Sequence, residues 1–215
     1  MRYELIIFDC DGVLVDSERI AIRIESEGLT ALGWRLSQEE VIERFVGRSA
    51  AYGHAEIVAK LGSAVAESWS SEFRRMYRAA LETDVAAVEG VVEALDRIDT
   101  LTCVASSSDH EHLRLVLGRT GLYPRFHGRV FSGTDVQNGK PAPDLFLHVA
   151  ASLGVAPSSC AVIEDSLPGI LAAQAAGMGA YAYLGGVTPH DRLRLPGVIP
   201  IAHMRDLPDK LRSRQ

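Results

Sequence analysis

The sequence predicts a doubly wound α/β fold, in which helices cover both faces of a parallel sheet, with an inserted helical segment. Short, wholly apolar runs such as Leu5–Phe8 recur along the chain, and buried parallel strands are apolar on both faces. Helical patterns of crossover length separate the later runs, which is the rhythm of βαβ units. After the first run, roughly seventy residues contain no strand pattern, far more than the dozen or so that a crossover needs.

Six runs are predicted to be strands, the last two on weaker patterns. In chain order they are Leu5–Phe8, Leu101–Ala105, Arg129–Phe131, Ala161–Ile163, Gly179–Leu184 and Val198–Ile201. The predicted crossover helices are His110–Arg119, Pro143–Leu153 and Leu167–Ala176. Gly177 follows the last of them at the C′ position, where glycine is favoured.

The strand-free segment is predicted to be a helical domain inserted after the first strand. Its helices are predicted at Glu18–Ala31, Gln38–Phe45, Ala55–Leu61 and Ala64–Leu81. Ser37 and Glu40 have capping-box spacing at the start of the second helix. We therefore expect residues 1–15 and 87–215 to form the α/β core and residues 16–86 a cap. Two adjacent connections between these parts predict a hinge that lets the cap open and close.

The composition excludes several classes of protein. The chain has 215 residues, is 47% hydrophobic and carries a net charge of −6, so we expect neither a nucleic-acid surface nor a membrane span. No leader pattern opens the sequence, and Cys10, Cys103 and Cys160 lack metal-ligand spacing. We expect a cytoplasmic protein with buried thiols. The oligomeric state is not readable from the sequence, and a monomer is favoured.

Polar residues follow the predicted strands at the points where ligands gather in open α/β sheets. Asp9 and Asp11 follow the first strand, Ser106-Ser107-Ser108 the second, Gly139-Lys140-Pro141 the third, and Glu164-Asp165-Ser166 the fourth. If the sheet forms as predicted, these groups converge on one cleft.

Four carboxylates in one small volume repel each other, and a divalent cation relieves that repulsion. An all-oxygen set suits Mg²⁺, which leaves coordination positions for water and a substrate phosphate. The predicted metal set is Asp9, Asp11, Glu164 and Asp165. Lys140 and the Ser106 hydroxyl would complete a phosphate pocket, with Ser107 and backbone N–H groups at the next helix start beside them.

The four motifs FDCDGVLVDS, VASSS, GKPAPDLF and VIEDS, in this order, resemble those of the haloacid dehalogenase superfamily of phosphohydrolases. The resemblance runs from Tyr3 to about Leu184, and the insertion stands where that superfamily places a helical cap. It is greatest to the β-phosphoglucomutase and phosphoglycolate-phosphatase-like branch. It implies a Rossmann-like core and a Mg²⁺-dependent phosphatase that acts on small phosphorylated metabolites, such as sugar phosphates or phosphosugar acids.

Carried over by position, the resemblance implies a role for each motif residue. Asp9 would be the nucleophile that forms an aspartyl-phosphate, and Asp11 the general acid and base, with its backbone carbonyl on the metal. Mg²⁺ would bridge Asp9, that carbonyl and Asp165, with Glu164 in support. Ser106 and Lys140 would hold the transferring phosphoryl oxygens.

Substrate choice is expected in the cap. The stretch RFVGRSAAYGH, Arg44 to His54, looks like a substrate-specificity loop, with Arg48 as a candidate contact for a carboxylate or second phosphate and Ser49 as a further substrate-binding candidate. A solvated surface arginine is an equally good interpretation of Arg48. For the motif residues the structural alternatives are helix capping by Ser106–Ser108 and by Asp165.

Three other functions fit the sequence less well than a phosphatase. A β-phosphoglucomutase-like enzyme is disfavoured, because Ala21, Ala50 and Asp109 stand where the mutase pattern has histidine, arginine and lysine. A dehalogenase proper does not carry the second aspartate, so Asp11 argues against it. A non-catalytic phosphate-binding module is disfavoured by the complete set of motifs.

Overall fold

The computed structural model describes residues 3–48 and 50–213. It confirms the doubly wound α/β fold, with six parallel strands in one sheet in the order β3-β2-β1-β4-β5-β6. The strands are β1 (Leu5–Phe8), β2 (Leu101–Ser106), β3 (Val130–Ser132), β4 (Cys160–Glu164), β5 (Gly179–Tyr183) and β6 (Ile199–Ile201). Each of the six predicted strands is present, with ends shifted by one residue at most.

Two compact units make up the described chain. Ser17–Val85 form the smaller unit, and the rest of the described residues form the larger. The smaller unit contains α1 (Glu18–Ala31), α2 (Gln38–Phe45), α3 (Ala50–Leu61) and α4 (Ser63–Asp84). Its role as a cap that opens and closes stays a prediction.

The larger unit holds the sheet and the remaining helices. These are α5 (Val91–Asp96), α6 (His110–Arg119), α7 (Asp144–Leu153), α8 (Leu167–Ala175), α9 (His190–Leu193) and α10 (Leu207–Arg212), with 3₁₀ turns at Tyr123–Phe126, Gly133–Asp135, Pro157–Ser159 and Met204–Asp206. The short helices α5, α9 and α10 were not predicted, because four to six residues are too few to show a helical period.

The core lies on both faces of the central strand. All four residues of β1 are buried, which is why the run is continuously apolar. Leu5 and Ile7 belong to a cluster with Phe146 of α7 and Ile170 of α8. On β1, Phe8 packs against Phe126, with ring centroids 6.3 Å apart. The three cysteines are buried and free of disulfides, as the prediction of small buried hydrophobes requires.

The smaller unit is built on amphipathic helices with defined ends. The predicted capping box is present: the Ser37 hydroxyl accepts from the Glu40 N–H at 3.2 Å, and the Glu40 carboxylate accepts from the Ser37 N–H at 2.8 Å. Helices α1 and α4 approach closely because Gly28 leaves room for the Trp69 ring. The Trp69 Nε1–H donates to Glu25 at 3.1 Å. None of the helices in the described ranges is long and apolar enough to cross a lipid bilayer.

Most of the stretch Arg44–His54 is helical, so its prediction as a loop was wrong, whereas its role in substrate specificity stays a prediction. Helix α2 continues to Phe45, and α3 begins at Ala50, five positions before the predicted start at Ala55. Val46, the C-cap of α2, is extended, and the next residue, Gly47, has a φ of 74°, which favours glycine at this position. Ser49 lies outside the described residues.

Candidate active site

The strand order brings the ends of β1, β2 and β4 together. Phe8, the last residue of β1, pairs with Val104 of β2 on one side and with Ile163 of β4 on the other. Asp9 follows Phe8 directly, and its N–H donates to the Ile163 carbonyl at 2.9 Å. The order also reverses between β1 and β4, and ligands of open α/β sheets bind at such a switch point.

Lys140 lies at the centre of this site. Its ammonium donates to Asp9 Oδ1 at 2.5 Å, to Glu164 Oε1 at 2.6 Å and to the Ala105 carbonyl at 3.1 Å. The Lys140 side chain is only 4% exposed, and its Nζ lies 5.0 Å from the centre of the Phe146 ring. Burial disfavours the charged amine, but Asp9 and Glu164 outweigh that effect and raise the pKa of Lys140. The site therefore contains a fixed positive charge.

Glu164 anchors this lysine. One carboxylate oxygen accepts from Lys140, and Oε2 accepts from the Asp165 and Ser166 N–H groups at 3.1 and 2.9 Å and from the Ser166 hydroxyl at 2.7 Å. Gly169 of α8 makes room for the carboxylate, since a Cβ there would lie 1.8 Å from Oε1. These contacts orient Glu164 toward Lys140, and its predicted part in a metal site stays a prediction.

Asp11 has different partners from Asp9. The Ser108 hydroxyl donates to Asp11 Oδ2 at 2.8 Å, and His112 Nε2 lies 2.8 Å from Oδ1. Burial alone would lower the pKa of His112, but its hydrogen bond and charge interaction with Asp11 raise it. This contact was not predicted from the sequence. The available signal was a histidine in the first turn of the helix after the second strand.

The carboxylates at the switch point fit a divalent cation. Asp9, Glu164 and Asp165 are buried and each offers an oxygen within 4.8 Å of the others. Burial raises the pKa of Asp9 to about 8, with Lys140 acting in the opposite direction and Glu164 and Asp11 adding to the rise. A cation bound there would stabilise the ionised carboxylates, and oxygen donors are those that Mg²⁺ prefers.

Comparison with known proteins gives the family. The family model of the haloacid dehalogenase-like hydrolases matches residues 3–177. The chain belongs to this family. It is 31% identical to the 6-phosphogluconate phosphatase of Escherichia coli K12, over 99% of this chain and 96% of that protein.

Solved structures of this hydrolase family share the fold over nearly the full length. A haloacid dehalogenase-like protein of unknown function from Agrobacterium tumefaciens is 39% identical, with a TM-score of 0.92 and 99% of each chain covered. A family hydrolase from Deinococcus radiodurans, solved with bound phosphate and sodium, is 28% identical, with a TM-score of 0.78 and 99% of this chain and 94% of that chain covered.

The serines of the hydrolase lie at the end of β2. Ser106 is 2% exposed, and its hydroxyl accepts from the Ser108 N–H at 3.1 Å. Ser107 is exposed. The alternative that these serines cap the following helix was wrong, because Asp109 is the N-cap of α6 and accepts from the His112 N–H at 2.8 Å. The alternative that Asp165 caps a helix was also wrong, because Ser166 is the N-cap of α8 and its hydroxyl accepts from the Gly169 N–H.

Arg48, a predicted substrate contact, belongs to the smaller unit. Arg48 follows α2, is exposed, and its guanidinium carbon lies 5.4 Å from the centre of the Tyr52 ring. Ser49 is outside the described residues. Whether Arg48 contacts substrate in this hydrolase stays a prediction.

Proposed function

We propose that this hydrolase is a Mg²⁺-dependent phosphatase that removes the phosphoryl group of small phosphorylated sugars or sugar acids through an aspartyl-phosphate. The predicted enzyme class, phosphoric monoester hydrolase, is confirmed by the family match and by the similarity to a phosphatase. The relative named for 6-phosphogluconate makes a phosphosugar acid the first substrate to test. The phosphate bound in the Deinococcus hydrolase supports a phosphate pocket.

The observation that carries this proposal is the difference between the two aspartates after β1. Asp9 contacts the ammonium of Lys140, a group that only donates hydrogen bonds. Asp11 contacts a hydroxyl and an imidazole, which can each donate or accept. Asp9 is therefore placed beside a fixed cation, as a nucleophile requires, and Asp11 among groups compatible with both protonation states.

In the proposed first step an oxygen of Asp9 attacks phosphorus, and the bond from phosphorus to the leaving oxygen breaks. Protonated Asp11 transfers its proton to that leaving oxygen, which departs as an alcohol. Lys140 and the Ser106 hydroxyl contact the phosphoryl oxygens. When bound at Asp9 and Asp165, Mg²⁺ supplies positive charge that offsets the charge of phosphate and carboxylates.

In the second step Asp11, now a carboxylate, takes a proton from water as the water oxygen attacks phosphorus. The bond from phosphorus to Asp9 breaks, and inorganic phosphate leaves. Ala21 and Asp109 supply neither the histidine nor the lysine of the mutase pattern, which favours water over a sugar hydroxyl as the acceptor.

The test is turnover of 6-phosphogluconate, hexose phosphates, phosphoglycolate and p-nitrophenyl phosphate with Mg²⁺ and with EDTA. We expect Mg²⁺-dependent release of phosphate and the highest kcat/KM for a phosphosugar acid or sugar phosphate. Asp9→Asn should abolish turnover and leave the far-UV circular dichroism spectrum unchanged. Rates unaffected by EDTA, or substantial turnover by Asp9→Asn, would exclude the proposed mechanism.

A further inference from the structure

The Asp11 carboxylate has two partners in the larger unit. Its two carboxylate oxygens each have a partner at 2.8 Å, the Ser108 hydroxyl for Oδ2 and His112 Nε2 for Oδ1. The side chains of His112 and Asp11 are 18% and 22% exposed, so the contact is largely shielded from water. Two partners on two oxygens restrict both the position and the rotation of the carboxyl group.

The two partners are themselves fixed. The N–H of His112 donates to the N-cap residue Asp109 at 2.8 Å, which ties this residue to the first turn of α6. The N–H of Ser108 donates to the Ser106 hydroxyl at 3.1 Å, and the Ser108 carbonyl accepts from the Ser132 hydroxyl at 2.8 Å. The backbone at Ser108 is thus anchored to the ends of β2 and β3, and the backbone at His112 to the N-cap of α6.

Both contacts survive a proton transfer. When Asp11 is ionised, the Ser108 hydroxyl and the His112 Nε2–H can both donate to it; when Asp11 is protonated, its O–H can donate to the hydroxyl while Nε2–H still donates to the other oxygen. An arginine or lysine in place of Ser108 could only donate and would favour the ionised carboxylate. The partners present can therefore hold the carboxyl group before and after it gives up its proton.

We propose that His112 and Ser108 are positioning residues, which hold the Asp11 carboxyl in the orientation needed for proton transfer to the leaving oxygen and from water. The inference rests on the proposed function and deepens it. Neither residue contacts the phosphoryl group in this scheme.

The experiment compares two substrates whose leaving groups differ in their need for a proton. The sugar-acid alcohol released from 6-phosphogluconate needs a proton from an acid as it leaves, whereas the p-nitrophenolate released from p-nitrophenyl phosphate leaves unprotonated. The value of kcat/KM reports the first phosphoryl transfer. We expect His112→Leu to lower kcat/KM for 6-phosphogluconate by about 10²-fold, and that for p-nitrophenyl phosphate by less than about threefold.

Conservative variants and a matched control separate positioning from folding. His112→Gln keeps a side chain that can donate or accept and should recover most of the loss, and Ser108→Ala should show the same substrate-dependent loss in smaller degree. The control is His110→Leu on the same helix, since His110 Nε2 lies 2.8 Å from Asp135 rather than from Asp11. We expect this control to keep wild-type values for both substrates.

A second readout does not depend on activity. In crystal structures of His112→Leu and of the double variant with Ser108→Ala, the Asp11 carboxyl should adopt a different rotamer from wild type. An unchanged rotamer in the double variant, or equal kcat/KM losses for both substrates, overturns the positioning role while wild-type turnover stands. If the wild-type protein hydrolyses no phosphomonoester, the proposed function is overturned instead. The Asp11 rotamer in the variant crystal structures then decides whether His112 and Ser108 position Asp11.

Discussion

Replacing Gly169 by alanine tests whether the position of Lys140 depends on Glu164. The added Cβ would lie 1.8 Å from Glu164 Oε1 and 1.9 Å from its Cδ, whereas ordinary contact begins at 3.4 Å. The carboxylate would have to move by about 1.6 Å, the difference between 1.8 and 3.4 Å. Because Glu164 is 1% exposed and interiors are closely packed, that movement has little free space to use.

The movement would lengthen the 2.6 Å contact between Lys140 and Glu164 beyond hydrogen-bond range. Overpacking costs about 1–3 kcal/mol and a lost charged hydrogen bond about 1.5–3 kcal/mol, so we expect the free energy of unfolding to fall by about 2.5–6 kcal/mol. With one of its two carboxylate partners displaced, Lys140 is held less firmly, and we expect kcat to fall about tenfold or more.

The assay is urea unfolding followed by circular dichroism in EDTA, together with initial rates in Mg²⁺. Gly118→Ala is the matched control, because Gly118 is also in a helix and a Cβ there would meet nothing within 4 Å. Alanine at that position should leave the rate unchanged and raise stability by up to about 1 kcal/mol. A Gly169→Ala protein as stable and as active as the Gly118→Ala protein would refute the anchoring role of Glu164.

Three further outcomes are expected. Gly28→Ala should lower the free energy of unfolding by about 1–3 kcal/mol, because its Cβ would lie 1.9 Å from the Trp69 ring. A variant as stable as the wild-type protein in urea unfolding would contradict this packing. The pKa of His112 is raised in the folded state by Asp11, so the stability that His112 contributes should be complete below about pH 6.5 and lost as the pH rises through the folded pKa. Urea titrations of wild type and His112→Gln in EDTA should show this pH-dependent difference, and a constant difference would disprove it. Arg48→Ala should raise KM for a phosphosugar acid more than for p-nitrophenyl phosphate, and equal changes in steady-state assays would remove Arg48 from specificity.

The local elements were predictable because their causes are local. A run such as Leu5–Phe8 is apolar throughout because it is buried on both faces, and that pattern is visible without the fold. The capping box of Ser37 and Glu40 is likewise set by residues three positions apart. The start of α3 was missed, because the five residues from Ala50 carry no distinct hydrophobic period.

The strands, the acids at their ends and the lysine could be predicted, since these follow from residue type and order along the chain. Which of these groups contact one another depends on the three-dimensional fold. Lys140 contacts Asp9 across 131 positions, and His112 contacts Asp11 across 101. Such contacts depend on strand order, register and helix phase, which bring distant residues together and leave no mark on their sequence neighbours. For that reason the sequence predicted a cluster of carboxylates, and the fold placed Asp9 beside the Lys140 ammonium and Asp11 beside a hydroxyl and an imidazole.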